Sequence, residues 1–274
     1  MVGSFLNVCI HRLPRGESVV KPRSRCPKCG HMIHWFDNFP VVSWVFLGAK
    51  CRECRAPIHW MYPAVELITA SLFLAVYWKF GMTLATPVYM AFVASMVLVT
   101  FVDLSHWIIP NEVTYPGIPL GVLCALVAMM YPESGLLYDD PLYAFIGLLI
   151  GGGSLYLMDM ISLLLLKKRG MGFGDVKLMA MFGAFFGPLG VLVIIVIASF
   201  FGSAIGLTMI AITRGKPTAA PAPVDGEEDD DAMTPGGHYL SFGPYLVLGA
   251  LAYLFYGPEI VQQYLDYIRV PGPI

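Results

Sequence analysis

The chain has 274 residues, of which 57% are hydrophobic and only 13% charged. Soluble domains carry about 25% charged residues, and a water-facing fold of this size cannot hide so much apolar surface. These figures exclude a soluble globular domain and intrinsic disorder, and a net charge of −2 excludes a broad basic field for nucleic acid.

A transmembrane helix needs about 20 mostly apolar residues, and the chain offers several such runs. Met1–Ile10 is apolar but covers only half a membrane and lacks the basic region and cleavage site of a secretory signal; it reads as a short anchoring helix or a trimmed start. Arg12–Trp60 is polar and rich in Cys, Pro and basic residues. Pro63–Phe80 spans, with Glu66 near its start, and Leu84–Val102 spans and ends at Asp103. Pro116–Tyr131 is a shorter third run, and Leu142–Leu166 a long fourth ending at Lys167-Lys168-Arg169. Val176–Phe186 is apolar for only 11 residues before Gly187-Pro188-Leu189-Gly190, which predicts a partial or re-entrant helix, or one starting below the membrane surface. Val191–Ile212 and Tyr239–Tyr256 span. Between them residues 216–237, rich in Pro, Ala and acidic groups, read as a flexible solvated linker. Residues 258–274 alternate polar and apolar groups and read as an interfacial segment.

The expected fold is therefore an all-α polytopic membrane protein with about seven transmembrane segments, one of them partial or re-entrant. The expected divisions are a partial N-terminal helix (1–11), a cytoplasmic cysteine loop (12–62), a transmembrane domain (63–257) and the interfacial tail (258–274). Threading the spans puts fifteen of the 17 Lys and Arg on one side, with only Lys79 and Arg269 opposite. That side is the cytoplasm by the positive-inside rule.

Four of the six cysteines form Cys26-Pro-Lys-Cys29 and Cys51-Arg-Glu-Cys54. Paired C-x2-C motifs at such a spacing point to a four-thiolate zinc site, closed and hence structural. A small loop with little core would draw folding energy from the metal, and Lys28, Arg52 and Arg55 favour thiolates. The alternatives are disulfides, which a reducing cytoplasm opposes, a redox-active pair, and His31 or His34 as substitute ligands. Cys9 and Cys124 sit in apolar context and read as packing residues.

Asp103 closes one span and Asp175 opens another, both at the cytoplasmic end. Ionisable groups at membrane depth are functional candidates by default. Two carboxylates brought together share one proton, so one can activate water while the other donates to a carbonyl. Gly170, Gly172 and Gly174 strip side chains from the approach to Asp175, leaving room for another backbone. Against this stand simpler uses: Asp175 as the N-cap of a helix starting at Val176, Asp103 as an interfacial residue in water, or the pair as an ion or proton path. Asp159 is a third carboxylate, read as structural.

GSFLNVCIHRLPR (Gly3–Arg15), the paired C-x2-C loop, VDLSHWIIPNEVTYPG (Val102–Gly117) and GMGFGDVKL (Gly170–Leu178) occur in that order. The combination resembles the type IV prepilin peptidases, also called leader peptidase/N-methyltransferases, over nearly the whole chain. The Gly-x-Gly-Asp element ending at Asp175 is also similar to that of presenilin-like aspartyl proteases. The resemblance implies a multi-pass enzyme of the bacterial cytoplasmic (inner) membrane. It implies removal of the basic leader from prepilins and type II secretion pseudopilins, then methylation of the new N-terminal residue by S-adenosylmethionine. It maps the catalytic pair onto Asp103 and Asp175 and the zinc ligands onto Cys26, Cys29, Cys51 and Cys54. Gly172, Gly174 and Lys177 stand in support, Lys177 as a cytoplasmic anchor or a charge beside Asp175. Where the family often has Asp after the Ile-Pro step this chain has Asn111, which is neither acid nor base. His106, three past Asp103, would face it on a helical turn. Glu66 reads as facing the bundle or headgroups, with substrate contact the alternative. No Gly-rich loop marks the methyl donor, so its binding residues are unassigned and the Gly3–Asn7 segment is the candidate. A cleavage-only peptidase and an ion or proton transporter are the competing functions, and the sequence leaves the oligomeric state open.

Overall fold

The computed structural model describes residues 1–26, 28–33, 37, 39–167, 172–213 and 241–269. Among them there are helices and two isolated bridges but no strand. The helices are α1 (Val2–Arg12), α2 (Val42–Phe46), α3 (Met61–Phe80), α4 (Ala85–His106), α5 (Asn111–Met130), α6 (Pro141–Leu166), α7 (Phe173–Thr213) and α8 (Gly243–Arg269). Six of them, α3 to α8, are long and apolar enough to cross a membrane. The chain is a multi-pass membrane protein, and it divides into two compact units, residues 1–102 and 103–274.

In the first unit α1 lies antiparallel on α3. Ser4 Oγ donates to Glu66 Oε1 (2.5 Å) and, one turn along, Asn7 Nδ2 donates to the carbonyl of Tyr62 (3.0 Å). Gly3 permits the approach, because a Cβ there would stand 2.7 Å from Glu66 Cα. The loop after α1 is built from two copies of one turn. Cys26 N–H donates to His31 O and Gly30 N–H to Cys26 O; in the second copy Cys51 N–H donates to Ala56 O and Arg55 N–H to Cys51 O. Bridges Arg25↔Met32 and Lys50↔Pro57 close the two turns. Trp44 Nε1 on α2 donates to Ile58 O (3.2 Å), tying α2 to the second turn.

In the second unit α7 packs against α5, α6 and α8. Without a hydrophobic drive between helices in lipid, close backbone packing holds such a seam, and small residues permit it. Gly147 and Gly183 meet backbone to backbone, so a Cβ on either would overlap the other chain. Gly187 is the one non-helical position inside α7 (φ 69°, ψ −178°), followed by Pro188. That conformation suits glycine alone, and the Tyr143 ring occupies the space a side chain would need.

Three expectations change in detail. The short run Val176–Phe186 and the span Val191–Ile212 lie in one helical segment broken only at Gly187, and it begins three residues earlier, at Phe173. The leading part, to Phe186, is about 21 Å long at 1.5 Å per residue. Helix α5 starts at Asn111 rather than Pro116, carrying Pro116 and Pro119 inside it; membrane helices tolerate internal proline where neighbours satisfy the backbone. Helix α8 runs through Pro258 to Arg269, so residues 258–269 extend the last helix rather than beginning a separate element. The acidic loop 216–237, His34 and Gly170 lie outside the described residues.

Candidate active site

Helix α4 does not stop at Asp103. It continues one turn to His106 and ends where Trp107 turns left-handed (φ 60°), its N–H donating to Asp103 O (2.9 Å). Asp103 is thereby drawn inside the fold, 5% exposed, rather than standing in interfacial water. Asp175 sits in the first turn of α7 instead of capping a helix that starts at Val176: its N–H donates to Gly172 O (3.1 Å), and it is 9% exposed.

The two aspartates converge through shared neighbours. Ile109, just past α4, packs on Gly174, where a Cβ would lie 3.0 Å from Ile109 Cβ. The same Ile109 side chain approaches Gly243 at the start of α8, and Gly243 abuts the Asp103 carboxylate so closely that a Cβ would overlap Oδ2. The bare backbone of Gly174 thus receives Ile109. Gly172 is the open one, exposed and with only Asp175 Oδ2 nearby.

The carboxylates are held unequally. Asp103 accepts from the Ser241 hydroxyl and from the Gly243 N–H. Asp175 accepts from the Gly172 N–H, but its Oδ1 is buried with no partner among the described residues. Lys177, two residues on, donates to Asn111 Oδ1 and lies 5.2 Å from the Tyr115 ring centre and 5.3 Å from that of Phe173. It fastens the start of α7 to the start of α5. Asp159 is half-exposed on α6.

The cysteines assemble as their spacing predicts. The sulfurs of Cys26, Cys29, Cys51 and Cys54 all lie within 4.8 Å of one another, and Cys26 Sγ stands 3.8 Å from Cys54 Sγ. Sulfurs each about 2.3 Å from one tetrahedral zinc stand about 3.8 Å apart, so the cluster fits a closed metal site. None of the cysteines is in a disulfide. The backbone N–H of Cys29 draws the Cys26 thiol down to about 6, favouring the ligating thiolate. His31 is not part of the cluster; its Nε2 lies 3.8 Å from Glu53 Oε1. Arg52 pairs with Asp37 through two bonds of 2.8 and 2.5 Å. Cys9 and Cys124 are buried singly in α1 and α5.

Ser241, Gly243 and Ile109 were not among the residues the sequence singled out. Ser241-Phe-Gly-Pro ahead of an apolar run is a legible helix start; its bond to Asp103 crosses 138 residues and leaves no local trace.

The chain is similar to known proteins along most of its length. The profile described as Bacterial Peptidase A24 N-terminal domain matches residues 1–80, and that of the Type IV leader peptidase family matches residues 90–207. The chain is 33% identical to the prepilin leader peptidase/N-methyltransferase of Myxococcus xanthus, over 94% of this chain and 88% of the relative. It is 31% identical to the protein of that name from Pseudomonas aeruginosa, over 97% and 91%. The counterpart from Aeromonas hydrophila is 32% identical over 97% and 90%. No solved structure matches the chain. Matching profiles along both units, and relatives of this identity over nearly their full length, make the chain a member of the type IV leader peptidase family.

Proposed function

We propose that this protein removes the leader from type IV prepilins and pseudopilins by an aspartate-dyad mechanism, at the cytoplasmic face of the inner membrane, and N-methylates the new N-terminus. The observation that carries the reading is the burial of Asp103, at the end of α4, and of Asp175, at the start of α7, around the shared neighbour Ile109. Buried carboxylates at membrane depth are costly and mark functional sites by default. The relatives are named for cleavage and methylation, and a basic leader suits the side on which the Lys and Arg gather.

The unequal support of the two groups assigns their roles. A carboxylate that accepts from Ser241 and Gly243 is stabilised as the anion. A buried oxygen without a partner favours the neutral acid, whose hydrogen can serve a substrate. Asp103 therefore takes a proton from water as the water oxygen attacks the scissile carbonyl carbon. Asp175 gives its proton to the carbonyl oxygen. The tetrahedral diol collapses when one of its hydroxyls returns a proton to Asp175, the proton held by Asp103 passes to the leaving nitrogen and the C–N bond breaks, which restores both aspartates.

The thiolates of Cys26, Cys29, Cys51 and Cys54 would hold zinc, which would supply folding energy to the loop and leave no open catalytic position. S-adenosylmethionine supplies the methyl group. A cavity of about 210 Å³ beside Ser4, Phe5 and Arg12 falls below the roughly 300 Å³ at which small-molecule pockets begin.

Purified protein incubated with a prepilin tests the reading by intact mass. Wild type should remove the leader and add one methyl group. Asp103→Asn and Asp175→Asn should each lower cleavage by at least about a thousandfold, the scale of losing an essential acid or base. Either variant cleaving at the parent rate overturns the dyad.

A further inference from the structure

The seam between α1 and α3 holds polar groups that the peptidase chemistry does not use. Ser4 and Asn7 lie on one face of α1, three residues apart, and Tyr62 and Glu66 on one face of α3, four apart. Both Glu66 oxygens meet neutral donors: Ser4 Oγ at Oε1 and the Val41 N–H at Oε2 (2.7 Å). No Lys, Arg or His among the described residues pairs with Glu66. Asn7 is 6% exposed, and while its Nδ2 donates to Tyr62 O, its Oδ1 is buried with no partner among the described residues.

The seam therefore has a surplus of acceptors. Among the described residues one carboxylate has no counter-cation and, one turn away, one buried amide oxygen has no donor. Leaving such an acceptor empty costs about 1–3 kcal/mol, and an ionisable group at membrane depth usually meets a partner or a ligand. An anion cannot satisfy this set. A sulfonium carries charge but no N–H. A primary ammonium carries both, with three hydrogens to distribute. Val41, which supplies the N–H at Oε2, sits at φ 59°, a conformation out of place for a β-branched residue. Strain of that kind gathers at binding sites, where the surroundings hold it.

We propose that Asn7 Oδ1 and the Glu66 carboxylate form a binding site for a primary α-ammonium. Two molecules in the methylation reaction carry that group: the leader-free pilin, whose amine is the methyl acceptor, and the amino-acid end of the methyl donor. The identity of the occupant rests on the methylation reading above; the existence of the site does not.

The test is binding to the full-length protein in detergent micelles, measured separately from turnover. A leader-free pilin peptide beginning with Phe is compared with its N-acetylated form, and S-adenosylhomocysteine with its N-acetylated form. The site requires that acetylation weaken binding at least tenfold in one of the two pairs, and the affected pair names the occupant. Glu66→Gln, at an unchanged melting temperature, should shrink that preference to less than threefold. Asn7→Ala should shrink it likewise. If acetylation changes neither pair for the wild type, the proposal is overturned without reference to any variant. A preference that survives both substitutions overturns it equally. If the wild type shows the Glu66-dependent preference yet methylates nothing, the site stands and the methylation reading falls. Methylation with no preference for the free amine has the opposite meaning.

Discussion

Ser241 donates a hydrogen bond to Asp103 across 138 residues of sequence. With the Gly243 N–H it gives one aspartate of the pair a second donor that the other lacks. Bonds to a charged group are worth about 1.5–3 kcal/mol. Ser241→Ala should therefore lower kcat for leader cleavage by roughly 10- to 100-fold, with KM changed less than about twofold, because the bond touches the proposed base and not the leader. The acidic limb of the kcat profile should move to higher pH, since the anion has lost a donor. Ser241→Thr, which keeps the hydroxyl, should restore most of the rate. A KM effect with no change of pH profile would mean that Ser241 only shapes the substrate site.

Gly243 leaves no room for a side chain beside Asp103. In an ordinary helix Gly→Ala gains about 1 kcal/mol, so the sign of Gly243→Ala depends on what the added carbon meets. It would overlap Asp103 Oδ2 and press on Ile109. Gly202 is a matched control, because there the added carbon would lie 3.5 Å or more from its neighbours. Leader cleavage, measured for both variants, should fall at least a hundredfold in Gly243→Ala and stay within about twofold in Gly202→Ala. Equal activities would remove Gly243 from the site.

The residues that repeat a local pattern were legible before the fold was known. Cys26, Cys29, Cys51 and Cys54 come together as their spacing implies, because a C-x2-C turn is decided by a few adjacent residues. Asp103 and Asp175 were legible because a charge at the end of an apolar run stands out against 13% charged residues. Their surroundings were not. Ile109 is one apolar residue among many, and Ser241 follows a long separate stretch of chain. Gly174 looked like an opening, and the fold fills it with Ile109. The break in α7 was read at the right place, Gly187-Pro188, because that dipeptide punctuates any helix. Continuation of the helix on both sides depends on the partners packed against it.

The α6–α7 seam yields a stability prediction. A Cβ on Gly183 would overlap the backbone of Gly147, and backbone cannot step aside as a flexible side chain can. Overpacking of this kind costs typically about 1–3 kcal/mol. Gly183→Ala should lower the melting temperature in detergent by several degrees. Gly153→Ala, where nothing lies within 4 Å, should leave it unchanged or slightly raised. Thermal unfolding of the two proteins decides; equal melting temperatures would show that the helices separate without cost.

The twin cysteine turns differ at one backbone position, and the difference should be measurable in metal affinity. Gly30 and Arg55 hold the equivalent place, one residue after the second cysteine, with φ of 71° and 56°. Glycine adopts that conformation freely, whereas for other residues the left-handed region costs roughly 1–2 kcal/mol. Arg55→Gly removes the strain, although the unfolded chain regains some freedom. The balance should leave zinc affinity equal or up to about tenfold tighter. Gly30→Val places a β-branched residue where glycine is needed and should weaken it at least tenfold. Competition with a chromophoric chelator measures both, and the parent should hold one metal ion that Cys51→Ser abolishes. If Gly30→Val binds zinc as tightly as the parent, the metal does not require the paired turns. If Arg55→Gly binds more weakly, the Arg55 side chain supports the site more than its backbone strains it.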